Sequence, residues 1–222
     1  MATSNLRREI IDTYNQRAAN YDFTANLYYL IGYPEWRYRR LAVEALGLQP
    51  GDTVVEIGCG TGLNFEFYQE QVGPRGKIIG VDLTDAMLDQ ARQRVRENGW
   101  ENVELVHQDA NEYAFPAEVN GVISTFAFSL IPEAPAIVRR AASALAAGGR
   151  MVLVDFQIPE NWPDWLISAA MTIVKPFAVT DEWLARQPWI DIQTAMRESF
   201  PNVQKEDYYL DTTYIMSGEA SE

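Results

Sequence analysis

A group of glycines and acids in the first half of the chain has the types and spacing needed to bind a nucleoside. Residues 54–62 read Val-Val-Glu-Ile-Gly-Cys-Gly-Thr-Gly, and Asp82 ends a second apolar run twenty residues after Gly62. A buried strand that runs into glycines lets the backbone approach a ligand closely. An acid at the end of the next parallel strand can accept hydrogen bonds from both ribose hydroxyls. The pattern therefore predicts a site for a cofactor that contains a nucleoside.

The spacing of the glycines indicates which cofactor this is. A dinucleotide fingerprint, G-x-G-x-x-G, would place its third glycine at position 63, which is leucine. The segment Glu56–Gly62 instead follows the pattern E-x-G-x-G-x-G and resembles the first motif of the class I S-adenosylmethionine-dependent methyltransferases. The resemblance implies that S-adenosyl-L-methionine is the cofactor. It also implies that Glu56 faces the methionyl ammonium group and that Asp82 binds the ribose.

The resemblance assigns further cofactor contacts to the ends of the strands and to the loops after them. An acid after the third strand binds the adenine amino group in this family, which implies that role for Asp109. Met87 lies on the apolar stripe of a predicted helix, so packing explains it as well as contact with adenine does. The expected cofactor-binding residues are Tyr21, Glu56, Gly58, Cys59, Gly60, Gly62, Asn64, Asp82, Leu83, Met87, Asp109, Ala110, Thr125 and Phe126.

The hydrophobic pattern predicts the elements that must position these residues. Apolar runs alternate with amphipathic helical segments over residues 50–157, as is typical of a parallel sheet with helices on both faces. One such helix is predicted from about 132 to 147, closed by two glycines. Strands at 203–209 and 212–217 fit the antiparallel hairpin that closes the sheet of the family. We therefore expect an α/β fold with a Rossmann-like, doubly wound sheet of seven strands, mostly parallel with one antiparallel strand near the C-terminus.

The length of the chain fits one domain with additions around a core. At 222 residues it can bury a single core, and we expect one methyltransferase domain over residues 1–222. The parts outside the cofactor-binding core are expected to determine the substrate. The expected parts are an N-terminal helical cover at 1–48, the cofactor-binding core at 50–157, a substrate-cover insertion at 158–200 and a closing β-hairpin at 201–218.

The acidic composition argues against a nucleic acid substrate. The chain has 31 acids and 18 bases, a net charge of −13, and no basic stretch that could neutralise phosphates. Ser124–Ala127 also lacks the (D/N)-P-P-(F/Y) motif that is similar to the mark of nucleic-acid amino methylation. No apolar run reaches the roughly 18 residues needed to cross a bilayer, and residues 1–10 lack the apolar centre of a signal peptide. We expect a cytoplasmic protein without stable membrane insertion, acting on a small molecule.

Aromatic residues outside the core are the candidates for binding the methyl acceptor. Residues 14–22 resemble the Y-x-x-x-A-x-x-Y-D opening of the ubiquinone and menaquinone methyltransferase-like group, in which the two tyrosines border both ligands. Four of the six tryptophans lie within residues 162–189, where they could line an apolar pocket or widen the core. A neutral or cationic aromatic or amine acceptor fits the tryptophans and the negative charge. The expected acceptor-binding residues are Tyr28, Trp36, Phe128, Trp162, Trp165 and Met171.

Methyl transfer from a sulfonium depends on alignment of the reactants and on the exclusion of water, and it needs no metal and often no strong base. No bound metal is expected. The candidate catalytic residues are Tyr14, Tyr21 and His107, the only histidine. His107 ends the third predicted strand beside the adenine-side loop, and a purely structural place there is its alternative reading. Cys59 has no nearby base or second thiol and lacks the features of a nucleophile.

The motifs together predict methyl transfer by direct in-line displacement to a small acceptor that is aromatic, an amine or amphiphilic. Phe128–Pro132 replaces the Arg-Asn pair of quinone-ring C-methyltransferases, so the acceptor and the choice among N-, O- and C-methylation stay open. One alternative is a nicotinamide-dependent oxidoreductase, against which the leucine at position 63 argues. The other is a non-catalytic S-adenosylmethionine-binding protein, against which the intact Glu56, glycine and Asp82 set argues.

Overall fold

Seven strands form one sheet in the part of the chain that the computed structural model describes, residues 14–15, 32–163, 165–168, 171 and 180–221. The strands are β1 (Thr53–Ile57), β2 (Lys77–Asp82), β3 (Val103–His107), β4 (Val119–Thr125), β5 (Leu145–Phe156), β6 (Asn202–Tyr208) and β7 (Thr213–Glu219). The described helices are α1 (Glu35–Ala45), α2 (Phe65–Val72), α3 (Asp85–Asn98), α4 (Ala134–Ala144), α5 (Asp181–Arg186) and α6 (Pro188–Ser199), with a 3-10 turn at Phe128–Leu130.

The strand order is β3-β2-β1-β4-β5-β7-β6. Neighbouring strands from β3 to β5 are parallel, and β7 pairs antiparallel with both β5 and β6, so that among the described strands only β7 runs against the others. The order reverses between β1 and β4, and ligands of open α/β sheets bind at the carboxyl ends of the strands beside such a reversal. The predicted α/β fold with seven strands and one antiparallel strand is confirmed.

Alternation along the central strands builds two hydrophobic layers, one on each face of the sheet. Val54 and Ile78 belong to the layer under α1, α2 and α3. Their neighbours Val55 and Ile79 belong to the layer under α4 and α6. All four side chains are at most 2% exposed. Burial of each such side chain stabilises the fold by about 1.5–3 kcal/mol, and it fixes which strand ends meet at the reversal.

The helix predicted at 132–147 is shorter in the structure. It ends at Ala144, and β5 begins at Leu145 and continues through the two glycines that were expected to close the helix. A Cβ on Gly149 would lie 2.9 to 3.1 Å from three backbone carbonyl oxygens, so Gly149 serves close backbone packing at an irregular pairing of β4 with β5. This role depends on a neighbouring strand, and the local sequence pattern does not reveal it.

The first described helix packs its inner face on the sheet. Tyr38, Ala42 and Val43 of α1 are buried in the layer that also contains Val54 of β1. The expected N-terminal cover at 1–48 is therefore described in part, because most of residues 1–31 lie outside the described residues. Within the described part of the chain, no helix has both the length and the apolar character that a membrane crossing requires.

Candidate cofactor site

The turn after β1 is built from glycines with left-handed backbone angles. Gly58 and Gly60 have φ values of 72° and 55°, a conformation that side chains with a Cβ rarely adopt. The amides of Gly58 and Cys59 donate to the carbonyl of Val81 at 2.8 and 3.1 Å, which ties the turn to β2. A Cβ on Gly58 would lie 2.5 Å from the Cβ of Ala127, so the turn packs directly against the loop after β4.

Asp82 at the end of β2 is held in place by two backbone amides. Its Oδ2 accepts from the amide of Gly60 and its Oδ1 from the amide of Thr84, both at 2.8 Å. Burial raises the pKa of Asp82, and these two amides oppose that effect. An ionised carboxylate has about four lone-pair sites, so each oxygen keeps capacity for one more donor. The geometry fits a ribose whose two hydroxyls would each donate to one oxygen.

A cavity opens at the reversal of the strand order, between the turn after β1 and the loops after β2, β3 and β4. It contains about 930 Å³ of atom-free space, part of it open to solvent. Ten of the fourteen expected cofactor-binding residues line it: Gly58, Cys59, Gly60, Asp82, Leu83, Met87, Asp109, Ala110, Thr125 and Phe126.

The loop after β3 forms one end of the cavity. Asp109 Oδ1 accepts from the amide of Asn111 at 2.8 Å and from its Nδ2 at 3.0 Å. Arg140 on α4 donates to the carbonyl of Ala110 at 2.6 Å. Glu133 accepts from Asn111 Nδ2 at 3.2 Å. The helix α4 and its N-terminal flank therefore fix the loop that carries the residues expected to bind adenine.

Glu56 does not face the cavity, in contrast to the expectation that it faces the methionyl ammonium group. It is 1% exposed and lies behind the wall, where its Oε1 accepts from Asn64 Nδ2 at 2.5 Å and from Thr125 Oγ1 at 3.2 Å. Burial raises the pKa of Glu56 to about 7, opposed by Arg39 and by the hydrogen bonds from Asn64 and Thr125. The hydrogen bond from Thr125, which lines the cavity, connects Glu56 to the cavity wall.

Two more expected residues lie outside the cavity wall, and one is not described. Asn64 is buried beside Glu56. Gly62 is needed for packing, because a Cβ there would lie 2.5 Å from the ring of Phe65. Tyr21 lies outside the described residues, as does the expected acceptor residue Tyr28.

Arg39 on α1 lines the cavity, and the sequence analysis did not identify it. It is 7% exposed, and its Nε and Nη2 donate to Glu35 Oε1 at 2.8 and 2.6 Å. Its Nη1 donates to Thr125 Oγ1 at 2.6 Å. The sequence does contain a signal for this position. Arg39 follows Glu35 by four residues and precedes Ala42 and Val43 by three and four residues, so it lies on the same face of the helix as these buried residues.

The candidate catalytic residues are separated by the fold. Tyr14 lines the cavity and packs against the hydrophobic layer under α4. His107 is exposed, and its Nε2 is 3.0 Å from the carbonyl oxygen of Leu83. His107 is the last residue of β3 and is absent from the lining of the described cavity, whereas the next residue, Gln108, belongs to that lining.

The aromatic residues expected to bind the acceptor lie elsewhere in the described structure. Phe128 and Met171 are 1% and 3% exposed within the hydrophobic core. Trp36 and Trp165 are 48% and 71% exposed. Trp162 is half-buried and, like these four, does not belong to the lining of the described cavity. The clustered tryptophans Trp183 and Trp189 are buried with ring centroids 4.8 Å apart, so they widen the core, which was the alternative to a pocket lining.

Comparisons with known proteins agree with this geometry. Residues 54–149 match the family model described as a methyltransferase domain. Demethylmenaquinone methyltransferase from Listeria welshimeri is 29% identical over 175 residues, which cover 76% of this chain and 72% of the relative. The ubiquinone/menaquinone biosynthesis C-methyltransferase UbiE from Pseudomonas putida is 29% identical over 161 residues, which cover 71% of this chain and 62% of the relative. Other curated relatives are matched over 54% of their length.

A solved structure shares the fold at low sequence identity. Phosphoethanolamine N-methyltransferase 2 from Haemonchus contortus, in complex with phosphomonomethylethanolamine and S-adenosylhomocysteine, aligns with a TM-score of 0.67 and 16% identity. The alignment covers 84% of this chain and 53% of that one. At this identity the likeness concerns the arrangement of the sheet and its helices.

Proposed function

We propose that this chain, which belongs to the class I S-adenosylmethionine-dependent methyltransferases of the ubiquinone/menaquinone type, transfers a methyl group to a small aromatic acceptor. The observation that carries the proposal is the cavity at the strand reversal, where the left-handed glycine turn meets an Asp82 already fixed by two backbone amides. A quinol ring methylated on carbon is the acceptor that the names of the curated relatives favour.

The residues that line the cavity support an assignment for each part of the cofactor. Asp82 would accept the ribose hydroxyls, and Asp109 with the amide of Ala110 would bind the adenine. The glycine turn and Arg39 would hold the methionyl group, because a buried guanidinium can pair with its carboxylate. When bound, S-adenosylmethionine would supply a methyl group on a positively charged sulfur: an electron-rich atom of the acceptor would take the methyl group and lose a proton to water, and S-adenosylhomocysteine would be left.

The protein's contribution to the reaction is position and the exclusion of water. Tyr14 lines the cavity, and its hydroxyl would orient a ring hydroxyl of the acceptor. Thr125 is fixed by Arg39 and Asn64, which donate to its Oγ1 at 2.6 and 2.9 Å, so the wall beside the methionyl group is rigid. These roles require neither a metal nor a strong base.

The cofactor assignment is tested by Asp82→Asn with Asp85→Asn as the matched control. Asp85 is an exposed acid three residues further on that does not line the cavity. Titration calorimetry with S-adenosylhomocysteine should show a loss of about 1.5–3 kcal/mol for Asp82→Asn, roughly ten- to a hundredfold in affinity, as expected for charge-assisted hydrogen bonds. The control should bind as the wild type does.

Equal affinity of the wild type and Asp82→Asn for S-adenosylhomocysteine would contradict the ribose assignment. Binding of a nicotinamide dinucleotide in place of S-adenosylhomocysteine would support the oxidoreductase alternative. With the cofactor assignment secured, transfer of a labelled methyl group to quinols, phenols and amines identifies the acceptor, and absence of transfer to every aromatic compound would contradict the proposed acceptor class.

A further inference from the structure

Phe126 has a strained backbone at the edge of the cavity. It directly follows β4, has a φ of +56°, and donates its amide to the carbonyl of Val154 at 2.7 Å. A bulky residue in the left-handed region is uncommon, and such strain concentrates at functional sites. Of the described non-glycine residues with positive φ, Phe126 is the one that lines the cavity.

A chain of rings supports the side chain of Phe126. Its centroid lies 5.1 Å from that of Phe156 and 6.3 Å from that of Tyr33. Tyr33 in turn lies 5.9 Å from Phe156 and 5.0 Å from Tyr209 in the turn between β6 and β7. The hydroxyl of Tyr33 is hydrogen-bonded to Thr213 Oγ1 at 2.8 Å. We call these four rings, Tyr33, Phe126, Phe156 and Tyr209, the aromatic wall, and its supports make it rigid.

Phe126, the ring of the aromatic wall that lines the cavity, lies at the end of the site where the acceptor must arrive. Asp82 and Asp109 follow β2 and β3, whereas Phe126 follows β4, on the other side of β1. A cofactor with its ribose at Asp82 therefore extends its methionyl part along the glycine turn toward β4. Its reactive methyl group is then presented on the side of Phe126. This step rests on the proposed function.

The charge beside Phe126 limits what can bind there. The guanidinium carbon of Arg39 lies 5.1 Å from the centroid of the Phe126 ring, so a cation already occupies the ring face that would attract one. Glu35 forms a buried ion pair with Arg39, with a contact of 2.6 Å. The carboxylate of Glu35 is therefore already paired and is not available to bind an ammonium group. A flat uncharged ring can instead pack against Phe126, the ring of the aromatic wall that lines the cavity, in offset or edge-to-face contact.

We propose that Phe126 is the specificity-determining residue for the acceptor and that it selects a flat, uncharged aromatic ring over an aliphatic amine. The sequence motif suggested a cofactor contact for Phe126, and its rings and neighbours assign it to the acceptor instead. The selection is made by contact area and by the Arg39 guanidinium that already covers a face of the Phe126 ring, and it involves no additional catalytic group.

The probes for the test are naphthalene-1,4-diol, kept reduced, and ethanolamine, each titrated into the full chain saturated with S-adenosylhomocysteine. Phe126→Leu removes the ring and keeps part of the apolar volume. Phe126→Gly removes the ring and relieves the backbone strain, which protects the test against misfolding. The matched control is Glu118→Gly, an exposed residue with a φ of 59° just before the same strand.

Both Phe126 variants should bind the diol at least about tenfold more weakly, as expected when an aromatic contact is lost. Their affinity for S-adenosylhomocysteine should fall by less than their affinity for the diol, and Glu118→Gly should match the wild type for both ligands. Ethanolamine should bind far more weakly than the diol. Unchanged diol affinity in the variants, no diol binding to the loaded wild type, or tight ethanolamine binding overturns the inference. Failure of the wild type to bind S-adenosylhomocysteine overturns the proposed function itself.

Discussion

At the scale of single residues, one threonine hydroxyl connects the charges around the methionyl end of the cavity. Thr125 Oγ1 accepts from Arg39 at 2.6 Å and from Asn64 at 2.9 Å, and it donates to Glu56 at 3.2 Å. Glu35 completes the set by pairing with Arg39. The two acids and one arginine are buried, and buried charges are stable only when they are paired and hydrogen-bonded. The protonation of Glu56 is therefore linked to the stability of the fold.

Replacing Glu56→Gln should change how stability depends on pH. Burial raises the pKa of Glu56 from 4.5 to about 7, so the folded protein keeps this proton to higher pH than the unfolded chain does. The contribution of Glu56 is thus fully present below about pH 4.5 and is lost as pH rises to about 7. Between these limits the wild type should lose on the order of 3 kcal/mol of unfolding free energy that Glu56→Gln does not lose. Urea unfolding at both limits measures the difference.

The control for this measurement is Glu66→Gln, which changes an exposed acid at the start of α2. It should follow the wild type across the whole range. Parallel pH profiles for Glu56→Gln and the wild type would mean that Glu56 titrates near its ordinary pKa in the folded protein, and the linkage to the methionyl end would then be wrong.

At the scale of elements, the early start of β5 is the feature on which the pairing with β4 depends. Gly149→Ala would bring a Cβ to 2.9–3.1 Å from the carbonyl oxygens of Ala146, Asn120 and Val119. We expect it to destabilise the fold by about 1–3 kcal/mol, because backbone atoms cannot move aside as a flexible side chain can. Urea unfolding monitored by circular dichroism measures the loss.

Gly99→Ala separates this steric effect from simple backbone strain. Gly99 has a φ of +66° at the end of α3, and a Cβ there would meet no atom within 4 Å. Its replacement should cost about 1 kcal/mol, the ordinary cost of a left-handed alanine. A smaller loss for Gly149→Ala than for Gly99→Ala would contradict the close contact inferred for β5.

The sequence predicted those elements whose signals are local. The apolar strands, the glycine turn and Asp82 were found because continuous apolar runs and glycine spacing are visible within a few residues. Arg39 and the aromatic wall were missed because their partners lie far away in sequence: Arg39 meets Thr125, and Tyr33 meets Tyr209. The tryptophans within residues 162–189 were expected either to line an apolar pocket or to widen the core. Composition alone does not distinguish these two roles.

At the scale of the whole molecule, the excess of acids should govern how stability responds to salt. The net charge of −13 repels polyanions and also strains the folded chain, since like charges are closer in it than in the unfolded state. The acids that line the cavity are part of this field, but their carboxylates accept hydrogen bonds from backbone amides. Salt should therefore act mainly on stability, and only weakly on the binding of a small ligand.

We expect the melting temperature to rise as sodium chloride is raised from about 0.01 to about 0.15 M, because the screening length falls from about 30 to about 8 Å. A gain of about 1 kcal/mol would raise it by roughly 2–4 °C for a chain of this size. A double variant, Glu66→Gln with Glu101→Gln, removes two exposed acids and should melt higher at low salt with a smaller salt response. Differential scanning calorimetry checks both statements. A melting temperature that falls with salt in the wild type would mean that favourable surface ion pairs outweigh the net repulsion, and the charge argument against polyanionic substrates would lose its physical basis.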